Sequence, residues 1–448
     1  MNEPNETFRP GRDFAVALDR GDPLRRFRDE FHIPRRAAPS PQPSPPAEGR
    51  GEGRGGENGE EEIYFAGNSL GLLPKRTSKY VDEELEKWKR LAVKAHFSGE
   101  NSWMPYHELL AEPTGRLVGA SPTEVVTMNS LTVNLHLMMA SFYRPTCARH
   151  RILLEDHAFP SDGYAVETQA IFRGFDPAEA LARLSPRKGE HSIDTADVAR
   201  VLEREGESIA LVLLPGVQYY TGQAFEIEAI TRLAHAKGCV VGFDMAHAVG
   251  NLVLRLHEWN VDFAVWCTYK YLNSGPGSVG GCFVHERHGM RQDLPRLAGW
   301  WGHDKESRFR MEPGFRPIPG AEGWQLSNPP ILSLAAIRAS LAVFMEAGGM
   351  KPLREKSLRL TGYLEWLLER EIGDSVEILT PRDPRRRGCQ LSLRVRSSGS
   401  GRTVLEKLEA SGVTCDWREP DVIRVAPVPL YNRYEEVHRF VEILRGAL

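Results

Sequence analysis

The chain lacks any apolar run approaching the ~20 residues that a membrane-spanning helix requires, and residues 1–14 lack the apolar core of a secretion signal. A cytoplasmic location with no membrane partner is expected. An excess of one charge is also missing: Lys+Arg 57 against Asp+Glu 60 leaves a net charge of -3, with the signs interspersed. No extended positive face is offered to a phosphate backbone, so nucleic acid is not an expected partner. None of the six cysteines forms a CxxC pair, and several lie in apolar runs such as 238–241. Buried, reduced thiols are expected, with no disulfide framework and no metal. The GxSxG elbow of a serine hydrolase is absent too.

What is present is enough apolar material, 41% of 448 residues, for a substantial core in two or three domains. Asp22-Pro23 followed by Leu24, Phe27 and Phe31 reads as an N-cap, a first-turn proline and an apolar stripe, predicting a short helix that ends near Pro34. Residues 38–62 contain almost nothing apolar to offset the entropy of ordering, which predicts a flexible insertion. Beyond it, apolar runs at 125–128, 152–154, 209–214, 240–243 and 263–267 alternate with helical patterns, including 226–237 closed by Gly238. Such βαβ units predict an α/β fold with a mostly parallel sheet and ligand-bearing loops after the strand ends. From about residue 332 the pattern changes to a smaller α+β domain. The expected divisions are 1–37 packing on the small domain, the insertion 38–62, a large domain 63–331 and a small domain 332–448.

Lys270 follows the apolar run 263–269, which carries an amine into the protein. Desolvation makes a lysine a nucleophile able to form a Schiff base, although that run alone fits a solvated strand end at least as well. Asp244 closes another apolar run 26 positions earlier and precedes His247. A carboxylate for a pyridine nitrogen and an amine for an aldehyde, in this order, are what pyridoxal phosphate needs. Leu131 and Thr132 follow the run 125–128 and open an apolar helix, where first-turn amides suit a phosphate; taken alone, the same residues read more readily as a plain N-cap. Phe159 and Asp162 suit a ring stacked on a flat cofactor, or a hydrophobic staple with its cap. The glycines of 275–281 lack the strand and helix of a nucleotide loop and predict a chain reversal beside the lysine.

Six motifs in order resemble the kynureninase family: Tyr64 to Gly71 (YFAGNSLG), Gly242 to Asn251 (GFDMAHAVGN), Tyr269 to Asn273 (YKYLN), Gly299 to His303 (GWWGH), Ser327 to Pro330 (SNPP) and Arg424 to Asn432 (RVAPVPLYN). The resemblance implies a fold-type I pyridoxal-phosphate enzyme with a seven-stranded-type sheet and a smaller C-terminal domain. It implies a homodimer with the site at its interface, cleaving kynurenine or 3-hydroxykynurenine to anthranilate or its 3-hydroxy form and alanine, in tryptophan catabolism or NAD biosynthesis. Carried over by motif, Lys270 holds the cofactor, Asp244 pairs with the pyridinium nitrogen with His247 beside it, and Phe159 and Asp162 belong to the ring. Leu131, Thr132, Tyr269 and Trp300 belong to the phosphate end, and Asn328 lies near cofactor and substrate. Arg424 binds the substrate α-carboxylate, while His96 and Ser69 line the aryl pocket. Lys270, Tyr269 and Asp244 are the expected catalytic residues. Two departures stand out: the insertion 38–62, and Pro215 where family members often have Ser. The competing readings are an aminotransferase, a desulfurase or a cofactor-bound scaffold; a desulfurase needs an exposed cysteine on a mobile loop, which Cys267 and Cys282 do not offer.

Overall fold

The computed structural model describes residues 8–36, 59–291, 293–396 and 401–448. In chain order its strands are β1 (Ile63–Tyr64), β2 (Val125–Thr127), β3 (Arg151–Glu155), β4 (Leu181–Leu184), β5 (Ile209–Pro215), β6 (Val240–Asp244), β7 (Phe263–Trp266), β8 (Gly281–Val284), β9 (Val376–Ile378), β10 (Leu391–Val395), β11 (Val413–Thr414), β12 (Asp416–Arg418) and β13 (Val422–Val425). Seven of them form the central sheet in the order β2-β8-β7-β6-β5-β3-β4. Only β8 runs against the rest, pairing antiparallel with both β7 and β2. The five predicted runs are all strands of this sheet. Their interiors are buried on both faces, which is why they read as unbroken apolar stretches.

Two strands of the sheet carried no such signal. β4 is a four-residue edge strand with Arg183 exposed, too short and too polar to read. β8 follows the glycine-rich chain reversal at once, and its Gly281 is required because a Cβ there would run into the Trp266 indole. The reversal itself delivers Gly280 to the end of β2, where its N–H donates to the Asn129 carbonyl at 2.7 Å.

The helix Ile331–Glu346 buries Leu334, Ile337, Leu341 and Phe344 in the core beneath the large sheet, whereas the helix Met350–Glu371 gives Leu360, Tyr363, Leu364, Leu367 and Leu368 to a second core. The four-stranded sheet β12-β13-β10-β9 and the helix Tyr434–Ala447 build that smaller unit. β1 belongs to it as well, pairing parallel with β11.

At the N-terminus, the predicted helix is a 3-10 turn, Arg25–Glu30, preceded by an α-helix, Arg12–Arg20, that the stripe did not reveal. Asp22 does accept from the Leu24 N–H at 2.9 Å, as a cap should, and its carboxylate also meets the buried Lys356 at 2.7 Å. Leu24, Phe27 and Phe31 enter the large core, whereas Ala15 of the α-helix enters the small one. Of the expected insertion, 38–58 lie outside the described residues. Residues 59–62 turn back onto the N-terminal segment: the Glu62 N–H donates to the Pro34 carbonyl, and Arg28 holds Glu61 at 2.9 Å.

All six cysteines are free, and five are buried as expected; Cys147 is exposed. It precedes β3, at the opposite end of the sheet from Lys270. Among the described residues no single helix is long and apolar enough to cross a membrane.

Candidate active site

Apart from Trp300 and Asn328, the residues predicted for the cofactor follow the carboxyl ends of β2, β3, β6 and β7, where a parallel sheet exposes loops to one crevice. Leu131 and Thr132 open the helix Leu131–Phe142 after β2, Asp162 lies in the first turn of the helix Pro160–Phe172 after β3, Asp244 ends β6 and Lys270 follows β7. They line one cavity with Phe159, His247 and Tyr269, and with Pro215 at the end of β5, which brings no hydroxyl there. The 68–71 turn braces the lysine loop. The Gly71 N–H donates to the Tyr269 carbonyl at 2.8 Å, and a Cβ on Gly71 would collide with Asn273 and the Lys270 carbonyl.

The Lys270 amine lies 2.9 Å from Nε2 of His247 and 5.9 Å from the centre of the Phe159 ring. Burial, with the charges of Lys270, Arg424 and Arg418, holds His247 well below the usual imidazole range, so the ring is neutral. Asp162 and Asp244 are buried side by side. Burial pushes both above the usual carboxylate range, and the charge of Asp244 pushes Asp162 further. Burial, with Cys267 beside it, also raises the Tyr269 phenol, which therefore keeps its proton.

These groups fit pyridoxal phosphate. Two carboxyls that burial holds above the usual carboxylate range suit a cationic ring nitrogen, and Oδ1 of Asp162 and Nδ1 of His247 are buried with no partner among the described residues. The helix Leu131–Phe142 has no side-chain cap at Ser130, which leaves its first-turn N–H groups for a phosphate. Thr132 adds a hydroxyl, 2.8 Å from that of Ser161.

Arg424, on β13, is 1% exposed. Its Nη1 donates to the Tyr219 carbonyl at 2.6 Å, and the Tyr219 ring stands edge-on to Phe159 at 5.3 Å, joining the arginine to the lysine cavity. Ser69 stands with Arg424, at 3.1 Å from Nη2. The reason is β1: its pairing with β11 carries the following turn onto the small unit.

His96, Trp300 and Asn328 do not line the cavity. His96 packs edge-on against Trp103 at 5.2 Å, and Trp300 donates its indole N–H to the Arg308 carbonyl at 3.1 Å. Asn328 is exposed. The structure adds Glu155, Tyr219, Asp416 and Arg418 to the neighbourhood. Glu155 was within reach of the strand-end reasoning that found Asp244, since it closes β3; burial pushes it up to about 8. No sequence signal marks the other three.

The sheet order and the lysine with its paired carboxyls define the fold-type I class of pyridoxal-phosphate proteins. Solved structures agree on the fold. A C-DES variant with glycine covalently linked to its PLP cofactor superposes with TM-score 0.72 at 18% identity, covering 86% of this chain and 96% of that one. A cysteine desulfurase from Thermococcus onnurineus superposes with TM-score 0.69 at 17% identity, covering 86% and 94%. Sequence comparison is more specific. The family model described as Kynureninase C-terminal domain matches residues 353–444. The kynureninase of Koribacter versatilis is 56% identical over 430 residues, 96% of each chain, and that of Myxococcus xanthus 55% over 439 residues, 98% of each. The chain belongs to the kynureninase family.

Proposed function

We propose that the protein hydrolyses the Cβ–Cγ bond of L-kynurenine, its 3-hydroxy form or both, releasing L-alanine and the corresponding anthranilate, in tryptophan catabolism or NAD biosynthesis. Full-length relatives with that name support the reaction. The observation that carries it is the Lys270 amine in one cavity with the Asp162–Asp244 pair and His247. Pyridoxal phosphate is the cofactor, and when bound it supplies an electron sink conjugated to the substrate α-carbon.

The chain's own groups do the rest. Lys270 holds the cofactor and then moves the proton at the substrate α-carbon. Asp244, backed by Asp162, keeps the ring nitrogen charged, and Phe159 covers the ring face. The amides of Leu131 and Thr132 hold the phosphate. Tyr269 retains its phenol proton and relays it during C–C cleavage. Arg424 binds the α-carboxylate with a planar fork, which lysine cannot reproduce.

The protein works as a homodimer. Phe97, Phe309 and Trp300 are 66%, 50% and 41% exposed and touch one another, with ring centres 6.2 Å apart for Phe97–Phe309 and 5.4 Å for Trp300–Phe309. A second copy covering this aromatic patch brings Trp300, His96 and Asn328 toward the other chain's lysine. The cytoplasm, with its reducing poise, suits six unpaired cysteines.

The test mixes the cofactor-loaded protein with L-kynurenine and with 3-hydroxy-L-kynurenine and follows alanine and aryl product together. Equal yields establish hydrolytic cleavage, and the ratio of rates identifies the preferred substrate. A keto acid in place of alanine replaces the reading with transamination.

A further inference from the structure

Asp416 opens β12 and stands directly across the sheet from Arg424 of β13. Its Oδ2 accepts from Nη2 of Arg424 and from the Ser69 hydroxyl, and its Oδ1 lies 2.9 Å from Nη1 of Arg418. One carboxylate thus sits between two guanidinium groups and a hydroxyl, leaving a single positive charge in the cluster. The neighbouring donor is equally telling: Nε of Arg424 is buried with no partner among the described residues. Nε and Nη2 form one edge of the guanidinium, the edge that binds a carboxylate side-on through two parallel hydrogen bonds. Half of that edge is empty and the other half is taken by Asp416.

We propose that Asp416 is the resident counter-ion of Arg424, displaced onto Arg418 when the carboxylate of the substrate takes the Nε–Nη2 edge. This rests on the reading of Arg424 as the α-carboxylate site. Two carboxylates against two arginines then balance the charge, and the orphan Nε gains its acceptor. Arg418, whose side chain is 36% exposed, has room to follow Asp416, whereas the buried Arg424 stays in place. The consequence is thermodynamic: a ligand that must displace Asp416 binds more weakly by the fraction of time the edge is closed. Asp416 is thereby a specificity-determining residue, since a ligand without a carboxylate offers Arg424 nothing in exchange.

The experiment uses the holoenzyme and 4-oxo-4-phenylbutanoate, an aryl ketone with one carboxylate and no amine, so that it forms no bond to the cofactor. Asp416→Asn is expected to lower its inhibition constant about tenfold and to lower KM for L-kynurenine in parallel, because the edge stands open. Arg418→Gln is expected to raise both, because the displaced carboxylate has lost its second cation. Opposite signs for two neighbouring variants are not produced by loss of folding. An inhibition constant unchanged or raised in Asp416→Asn, or unchanged in Arg418→Gln, overturns the proposal. Arg424→Lys separates it from the parent reading: if this variant binds the inhibitor as tightly as the wild type, Arg424 is not the carboxylate site and both fail.

Discussion

The two ends of the pocket are built differently. At the ring end, Asp162, Asp244 and Lys270 lie at the ends of three strands of one sheet, β3, β6 and β7, and the hydrogen-bonded ladder that joins them through β5 fixes their spacing. At the proposed substrate end, Arg424 and Ser69 come from positions 355 apart, and His96, Trp300 and Asn328 stand outside the cavity of the single chain. The ring end is therefore a property of the large sheet, and the substrate end a property of how separate units meet. Chemistry common to a whole class can be fixed by a sheet, while selectivity is placed where contacts are easier to change.

That contrast can be broken by mutation. The largest effect belongs to Lys270→Ala, which is expected to cut turnover by about a thousandfold or more and to leave no borohydride-fixed adduct. A retained adduct would move the anchor elsewhere. Asp244→Asn should follow, with a loss of about a hundredfold in kcat, as for other groups aimed at developing charge. Equal kcat in wild type and variant would remove Asp244 from the chemistry. At the substrate end, Arg424→Lys should raise KM for L-kynurenine by about tenfold and lower kcat less, because the fork acts on binding. A change confined to kcat would place Arg424 in the chemical step instead.

The shared site is tested by mixing two inactive chains. Lys270→Ala and Trp300→Ala, unfolded and refolded together, should recover about a quarter of wild-type activity, since half the dimers are hybrids with one intact site each. No recovery would assign both residues to the same chain's pocket. The smallest effect concerns Glu155. Burial raises it from an ordinary 4.5 to about 8, so across that window the folded chain holds a proton that the unfolded chain releases. Its contribution to stability is full below about pH 4.5 and is lost as the pH rises through about 8. Glu155→Gln should flatten this fall in the cofactor-free chain, read as the difference in urea midpoint between pH 5 and pH 8. An undiminished difference would assign it to another group.

The same contrast explains what could be read in advance. Asp244 and Lys270 were legible because each ends an apolar run, and a parallel strand buried on both faces must be such a run. β4 and β8 were not legible, one being a four-residue edge with an exposed arginine and the other beginning among glycines. Ser69 belonged to a recognisable motif, yet its neighbour depended on the two-residue pairing of β1 with β11, which has no periodicity to detect. Asp416 carried no signal, because a carboxylate two positions before an arginine on a short strand is ordinary surface sequence until β13 turns it toward Arg424.

By itself, the order of residues determined the α/β class, the succession of strand ends and the identity of the lysine and carboxylate that those ends present. These follow from local periodicity and from the burial that a parallel sheet imposes. Only the tertiary structure decided where the cores divide, that Asp162 and Asp244 are buried side by side, and that Arg424 already holds a carboxylate of its own. Each of those depends on contacts between segments far apart in the chain, whose distances are fixed only when the packed units meet.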